Sequence, residues 1–444
     1  MTTPQRWGVV GGGMLGLTLA HRLAGAGHDV TLIEGADHVG GLASAWSLGD
    51  VVWDRHYHVT LLSDSYARDV LRDLGLEREM EWVETKTGYY ADGRLSSVSN
   101  TVEFLRLPSL SPLGKLRLGA TIFYGSKVKD WKKLERTRVS DWLTRWSGRR
   151  TYQRFWLPLL RAKLGESYRE ASAAFIWATI QRLYSARRSG MKRELFGYVP
   201  GGYARILDRF AEVLREEGVE LLLGRPCRRI ERRDSTLAVD LDGETREFDR
   251  VVVTTTPSLA ARLCPDLATD ERDLMEGVRY QGIVCASLLL SRPLSPYYLT
   301  YITDDVPFTA VVEMSAFVDR SQFARHSLVY LPKYVPPDDP LFDASDEDIR
   351  AAFLPALQAM YPELSGDDVL SFRVSRVRQV FPVPTVGYSD RLPPTDTSIP
   401  GLHLVSSAHI VNGTLNVNET VQLAEAAARR LSPLARPAEA TQPV

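Results

Sequence analysis

A glycine-rich turn held between an apolar strand and an amphipathic helix constrains this chain more than any other feature. Arg6-Trp7-Gly8-Val9-Val10 reads as a buried parallel strand. Gly11-Gly12-Gly13-Met14-Leu15-Gly16 follows with the spacing G-x-G-x-x-G. Leu17, Leu19, Ala20, Leu23 and Ala24 then mark the apolar face of a helix that Gly25 and Gly27 end. Asp29-Val30-Thr31-Leu32-Ile33 is a second strand, closed by Glu34. Each part has a physical task. The glycines allow a tight turn, close approach of backbone to a pyrophosphate, and close helix–strand packing. The helix start offers unpaired N–H groups and the positive end of its dipole. Glu34 lies about 20 residues beyond the turn, where a carboxylate accepts from a ribose hydroxyl. The pattern predicts a dinucleotide site.

The rest of the chain is that of an ordinary globular protein. Its 444 residues suffice for two domains, with 44% hydrophobic and 25% charged residues. A net charge of -1 argues against nucleic acid as a main partner. Cys227, Cys264 and Cys285 fit no zinc or redox spacing and favour a reducing compartment. Met1 to Trp7 lacks the apolar stretch of a signal peptide, and no run of about 18 apolar residues is present. A cytoplasmic protein without a transmembrane segment is therefore expected.

The segment after Glu34 narrows the cofactor. Gly40-Gly41-Leu42-Ala43 follows the second strand, and here the sequence resembles the flavin amine oxidase superfamily, which includes phytoene desaturases, protoporphyrinogen oxidases and UDP-galactopyranose mutases. The resemblance implies FAD, with Gly40 and Gly41 against its diphosphate; Ala36 stands where the superfamily carries a basic residue. Tyr198-Val199-Pro200-Gly201-Gly202-Tyr203, ahead of a helix with Ile206, Leu207, Phe210, Val213 and Leu214, resembles the superfamily's P-x-G-G segment. Val251-Val252-Val253 ending at Thr254-Thr255-Thr256-Pro257 resembles the strand that re-enters the dinucleotide fold, with Cys227 near the expected adenine position. Near the C-terminus, Ile399 to Ser407 reads as a strand leading to Asn412-Gly413-Thr414-Leu415-Asn416-Val417-Asn418-Glu419-Thr420. Asn416 and Glu419 have capping-box spacing. The resemblance aims this helix start at the flavin ring, where a positive dipole end stabilises negative charge.

The expected fold is α/β: a Rossmann-like FAD-binding domain assembled from separated segments, plus an α+β substrate domain with a helical insert. The segments are 1–85, 200–262 and 385–444 for the FAD domain, with 86–199 (helix-rich) and 263–384 between them. In the last, Ile283 to Leu290 and Thr309 to Met314 read as strands and Asp346 to Met360 as a helix. Lysines and arginines are dense in the first insert: Lys127, Lys129, Lys132, Lys133, Arg136, Arg138, Arg149, Arg150, Arg187, Arg188, Lys192 and Arg193. They form either a solvated helical face or a positive entrance for a phosphorylated or membrane-associated substrate.

Two chemistries stay open. The first is an FAD-dependent oxidoreductase that takes a hydride from a small molecule to flavin N5. The second resembles UDP-galactopyranose mutase, with reduced FAD used without net redox change. Val51 to Thr60 reads as a strand whose period of two places Asp54, His56, His58 and Thr60 on one face. The superfamily segment here runs along the flavin ring, which makes His56 and His58 catalytic candidates, His58 as a base. Two histidines without a third ligand argue against a metal. The mutase subgroup's patterns are matched in part by His56-Tyr57-His58-Val59-Thr60, by Gly148-Arg149 with Tyr152 and Phe155, and by Lys163 and Gly165. Arg182 matches one of its phosphate-holding arginines, while Ala186 occupies the second position. Amine oxidases of the superfamily place a lysine opposite flavin N5; the matching strand has Cys285 instead, and Lys333 is a second charged residue at a strand end. The cofactor-binding candidates are Gly11, Gly13, Met14, Leu15, Gly16, Glu34, Gly40, Gly41, Leu42, Ala43, Cys227, Thr256, Asn416, Val417 and Asn418. The substrate is a small molecule, sugar-phosphate or polyprenyl-like, with peripheral membrane contact an open option.

Overall fold

Parallel pairing of Arg6–Val10 with Asp29–Ile33 on one side and Arg250–Val253 on the other starts the main sheet. In this computed structural model Glu220–Leu222 and Leu402–Leu404 extend it to five parallel strands. Three distant stretches of sequence thus meet in one sheet. The apolar strands are covered on both faces, as parallel strands require. Helices Met14–Gly25, Gly202–Glu216 and Val417–Leu431 bury Leu17, Leu23, Phe210, Leu214 and Val421 on one side. The three-stranded antiparallel sheet Arg229–Arg233, Thr236–Asp240 and Thr245–Phe248 covers the other with Ile230, Val239 and Phe248. The described residues are 4–100, 103, 106, 110–187, 195–411 and 413–432, without the side chains of 183–187.

A second sheet of seven strands runs in the order Val369–Pro382, Tyr280–Leu290, Ser327–Val335, Ala310–Glu313, Leu299–Ile302, Thr87–Ala91 and Arg94–Ser97. Its central strand Tyr280–Leu290 is buried along all 11 residues. Alternation explains this: Ile283, Cys285 and Leu289 face the helical insert, while Val284, Ala286, Leu288 and Leu290 face helix Asp346–Met360. That helix has the bounds read from its periodicity. Its Ser345 cap and Asp348 reciprocate, which also explains where it starts. The insert 86–199, read as helix-rich, also supplies the two strands Thr87–Ala91 and Arg94–Ser97. The first of them pairs with Leu299–Ile302, more than 200 residues away, a partner no local pattern announces.

The continuous strand expected over Val51 to Thr60 does not form. Val51–Asp54 pairs with Ala45–Leu48 and stops, and pairing resumes only at Thr60–Leu61. One more bond, from the Arg55 N–H to the Ser44 carbonyl, follows before the chain turns away, and Asp54 is tied to distant groups: its carbonyl accepts from the Tyr330 hydroxyl and its carboxylate from the Tyr203 N–H. Arg188, Lys192, Arg193, Asn412 and the tail after Ser432 lie outside the described residues, as does the Arg187 side chain.

Candidate active site

A cavity of about 2730 Å³ runs from the glycine-rich turn, past residues 56–59, into the space between the helical insert and the seven-stranded sheet. At its first end the backbone is laid bare by design. Gly13, the cap of helix Met14–Gly25, brings no side chain to the first-turn amides, and a Cβ on Gly13 would meet nothing within 4 Å. Gly16 is the opposite case: its Cβ would fall 1.9 Å from the Gly11 carbonyl oxygen. Gly13 is therefore open to the cavity, and Gly16 is a packing glycine. The Gly40-Gly41 turn stands against the first turn through a hydrogen bond from the Gly40 N–H to the Gly12 carbonyl (2.8 Å). The Glu34 carboxylate accepts from the Gly12 and Ala36 N–H groups at 2.6 and 2.9 Å. A carboxylate has about four lone-pair sites, so acceptor capacity remains for a ribose hydroxyl. Two glycine turns, a bare helix start and a positioned carboxylate fit the diphosphate and ribose of FAD.

Gly11, Gly13, Met14, Leu15, Glu34, Gly40, Gly41, Leu42, Ala43, Thr256, Asn416 and Val417 all line this cavity. Three of the cofactor-site residues expected from sequence do not. Gly16 is buried in the helix–strand contact just described. Cys227 points its thiol at the Arg229 carbonyl and packs against the antiparallel sheet, where burial pushes it up to about 12. Asn418 accepts from the Ala67 N–H (3.2 Å), which ties helix Val417–Leu431 to helix Ser65–Asp73. Asn416 caps its helix by accepting from the Glu419 N–H at 3.1 Å, though no reciprocal Glu419 bond completes the box. Asn416→Ala is expected to cost about 1 kcal/mol in urea denaturation, with the cavity otherwise intact.

His56, His58 and Arg182 all line the cavity. His56 is spoken for on both nitrogens, by the Leu42 carbonyl at 3.3 Å and the Ser375 hydroxyl at 3.1 Å. Burial lowers it to about 4, so it is neutral near pH 7 and serves to position the wall. His58 leans on the Tyr203 ring (4.8 Å between centroids), with Nδ1 3.6 Å from the Asp54 carboxylate. Arg182 pairs with Asp64 at 3.1 Å, and Asp64 also accepts from the Leu61 N–H.

The residue that sequence reading left without a role is Lys163. It sits at the C-terminal end of helix Leu157–Leu164 and faces the cavity. Its Nζ lies 3.7 Å from the centroid of the Tyr334 ring and 5.0 Å from that of Phe381. The Tyr334 hydroxyl shares a 2.9 Å hydrogen bond with that of Tyr57. Loss of hydration lowers the Lys163 ammonium to about 7, so the amine is largely neutral just above that pH. Cys285 is buried among Tyr330 and Tyr334 of the neighbouring strand Ser327–Val335 and is not a lining residue. Lys333, opposite Val284, is not one either. Only the fold brings a lysine from the helical insert to these tyrosines. The partial Lys163 and Gly165 match was the sole signal in the sequence.

Comparison with known proteins adds to this geometry. The sequence pattern of the family described as "Flavin containing amine oxidoreductase" matches residues 15–432. L-amino acid oxidase Cdc18 of Crotalus durissus cumanensis is 24% identical over 300 residues, covering 63% of this chain and 59% of that protein. The chain thus spans less than two thirds of the length of this curated relative. Among solved structures, putrescine oxidase bound to putrescine superposes with a TM-score of 0.73 at 16% identity, covering 97% of this chain and 99% of that one. Reduced UDP-galactopyranose mutase superposes with a TM-score of 0.75 at 17% identity, covering 99% and 97%. At these identities the superpositions establish the fold.

Proposed function

This chain belongs to the family of flavin-containing amine oxidoreductases, and from that premise we propose that it is an FAD-dependent oxidoreductase acting on a small, largely apolar amine. The observation that carries the reading is the placement of one half-buried, readily deprotonated amine, Lys163, in an aromatic compartment continuous with the dinucleotide turns. In this reading segments 1–85, 200–262 and 385–444 form the cofactor domain. Gly11, Gly13, Gly40 and Gly41 hold the diphosphate and Glu34 a ribose. Bound FAD supplies a hydride acceptor: a substrate C–H bond breaks, its electron pair and hydrogen leave together, and the substrate is left oxidised by two electrons.

The chain's own groups prepare that event. An amine reaches the site mostly as an ammonium, which cannot release a hydride from the adjacent carbon. Lys163 Nζ takes the proton, so that the substrate nitrogen lone pair is free to form the C=N bond. Tyr57, Tyr334 and Phe381 give the compartment aromatic faces that attract a cation before deprotonation. The start of helix Val417–Leu431 borders the same cavity and favours negative charge there. His56 holds the wall, and His58, beside Asp54, is a second candidate base.

The mutase reading needs cations for a sugar diphosphate. Among the described residues Arg182 is the one arginine that lines the cavity, beside Lys86, Lys115 and Lys163, and this residue, which matches the mutase pattern, is already paired with Asp64. This supports the redox reading. The test is anaerobic mixing of the purified flavoprotein with aliphatic, aromatic and poly-amines, amino acids and UDP-sugars. Bleaching of the flavin spectrum by an amine is the expected result. No bleaching by any of them, together with isomerisation of a UDP-sugar by the reduced protein, would replace it with the mutase reading.

A further inference from the structure

Helix Pro112–Lys127 is built inside out. Its buried face carries Gly114, Leu118, Thr121 and Gly125, with Ile122 partly buried beside it against the core. Its outer face carries Leu113, Leu116, Phe123 and Tyr124, exposed by 58%, 71%, 58% and 39%. A surface helix in water places its large apolar residues inward. The inversion is fixed by packing. A Cβ on Gly125 would meet Ile180 at 3.1 Å and Trp142 at 3.4 Å, so the small face lies close against its neighbours and the large side chains have nowhere to go but out. Trp146, 39% exposed, stacks on Tyr124 with ring centroids 4.0 Å apart and widens the patch. Among the described residues this is where large exposed apolar side chains gather.

Two further observations say what covers it. Residues 112–154 hold 12 lysines and arginines against 3 acidic residues, in a chain whose net charge is -1. Arg117, Lys129, Lys133, Arg145, Arg149 and Arg150 of this stretch are exposed. A second copy of the same surface would bring these like charges together, whereas an anionic surface is attracted. The patch is also continuous with the cavity: Leu116, Gly119, Ala120 and Phe123 line it and are exposed at once, so the cavity reaches the surface between them. No described helix is long and apolar enough to cross a membrane. A 16-residue helix of about 24 Å with bulky apolar and aromatic groups out and cations around it suits the plane of a bilayer interface.

We propose that this helix face docks on an anionic phospholipid bilayer and sets the mouth of the cavity at headgroup level. The docking does not depend on the reaction proposed above. A consequence for that reaction is that substrates partitioning into the bilayer would enter directly.

The test is co-sedimentation of the flavin-loaded protein with vesicles of phosphatidylcholine alone or with about 30% phosphatidylglycerol. Binding is expected to the phosphatidylglycerol vesicles and to weaken with salt. The double variant Leu116→Ser/Phe123→Ser should bind about tenfold more weakly or worse, while keeping its flavin, because both residues are exposed. Lys129→Glu/Lys133→Glu should weaken binding through charge alone and serves as the second probe if the first variant loses flavin. Absence of binding to either vesicle overturns the proposal, as does undiminished binding by both variants. A wild-type dimer that Leu116→Ser/Phe123→Ser makes monomeric, with no vesicle binding, would assign the face to a second copy instead.

Discussion

Replacing Lys163 by methionine is expected to slow substrate oxidation about a hundredfold or more and, in the same protein, to stabilise the fold below neutral pH. The two effects have one cause. An unfolded chain holds the lysine proton up to its ordinary value of 10.5, whereas the folded chain releases it at about 7. Between those values the unfolded state binds more protons, so the stability contributed by this site rises as pH increases from 7 toward 10.5. Below about 7 both states are protonated, and the fold bears the full cost of an ammonium partly stripped of water. At about 1.4 kcal/mol per pH unit that cost is on the order of 3–5 kcal/mol, and methionine removes it while filling nearly the same volume. The rate should follow the same proton. Wild-type kcat/KM should rise with pH through about 7 and level off, apart from the substrate's own ionisation, and the limb should vanish in Lys163→Met. His56, neutral above about 4, contributes no limb there. Equal pH profiles for the two proteins, with melting points unchanged at pH 6, would remove Lys163 from the mechanism. A merely structural lysine would move neither the limb nor its position.

The second large effect separates two glycines of one turn. Gly13→Val should yield a folded protein that has lost its flavin, because the new side chain enters open cavity and meets no protein atom at its Cβ. It covers the bare start of helix Met14–Gly25, where a diphosphate would lie against the first-turn amides. A drop in cofactor affinity of about a hundredfold or more is expected, as an order of magnitude for losing several charge-assisted hydrogen bonds. Gly16→Ala should instead unfold or severely destabilise the chain with or without flavin. Its single methyl group would stand 1.9 Å from a backbone oxygen, which cannot yield without separating helix from strand. Circular dichroism and flavin absorbance on the two purified variants distinguish these outcomes. A flavin-replete Gly13→Val protein would mean that the diphosphate does not pass this turn.

These two glycines have the same spacing logic in the sequence yet opposite neighbours in the fold, and the difference marks where sequence reading stops. The strand Arg6–Val10, the helix Met14–Gly25, the strand Asp29–Ile33 and the capped helices at Asp346 and Val417 were legible because their causes are local. Apolar periodicity, a cap and a terminating glycine act within a few residues of one another. The family resemblance added the Gly40-Gly41 turn and the order of the separated segments. Failure came where a distant group competes with a local pattern. Val51 to Thr60 alternates as a strand should, but it breaks after Asp54, whose carbonyl and carboxylate accept from the distant Tyr330 hydroxyl and Tyr203 N–H. Cys227 and Asn418 sit beside the expected motifs in sequence, yet face the antiparallel sheet and helix Ser65–Asp73 rather than the cavity.

The sequence by itself determined that a dinucleotide-binding strand–turn–helix opens the chain, that its sheet is parallel, and that a flavin is the cofactor its motifs fit. Those conclusions follow from hydrogen-bond supply, side-chain volume and dipole direction along short stretches of backbone. Only the tertiary structure decided that Lys163 stands over Tyr334, that Arg182 is committed to Asp64, and that helix Pro112–Lys127 turns its large apolar side chains outward. Each of these depends on what an element from far away in the chain leaves room for: burial lowers a lysine, a carboxylate claims an arginine, and close contact at Gly125 fixes a helix's rotation.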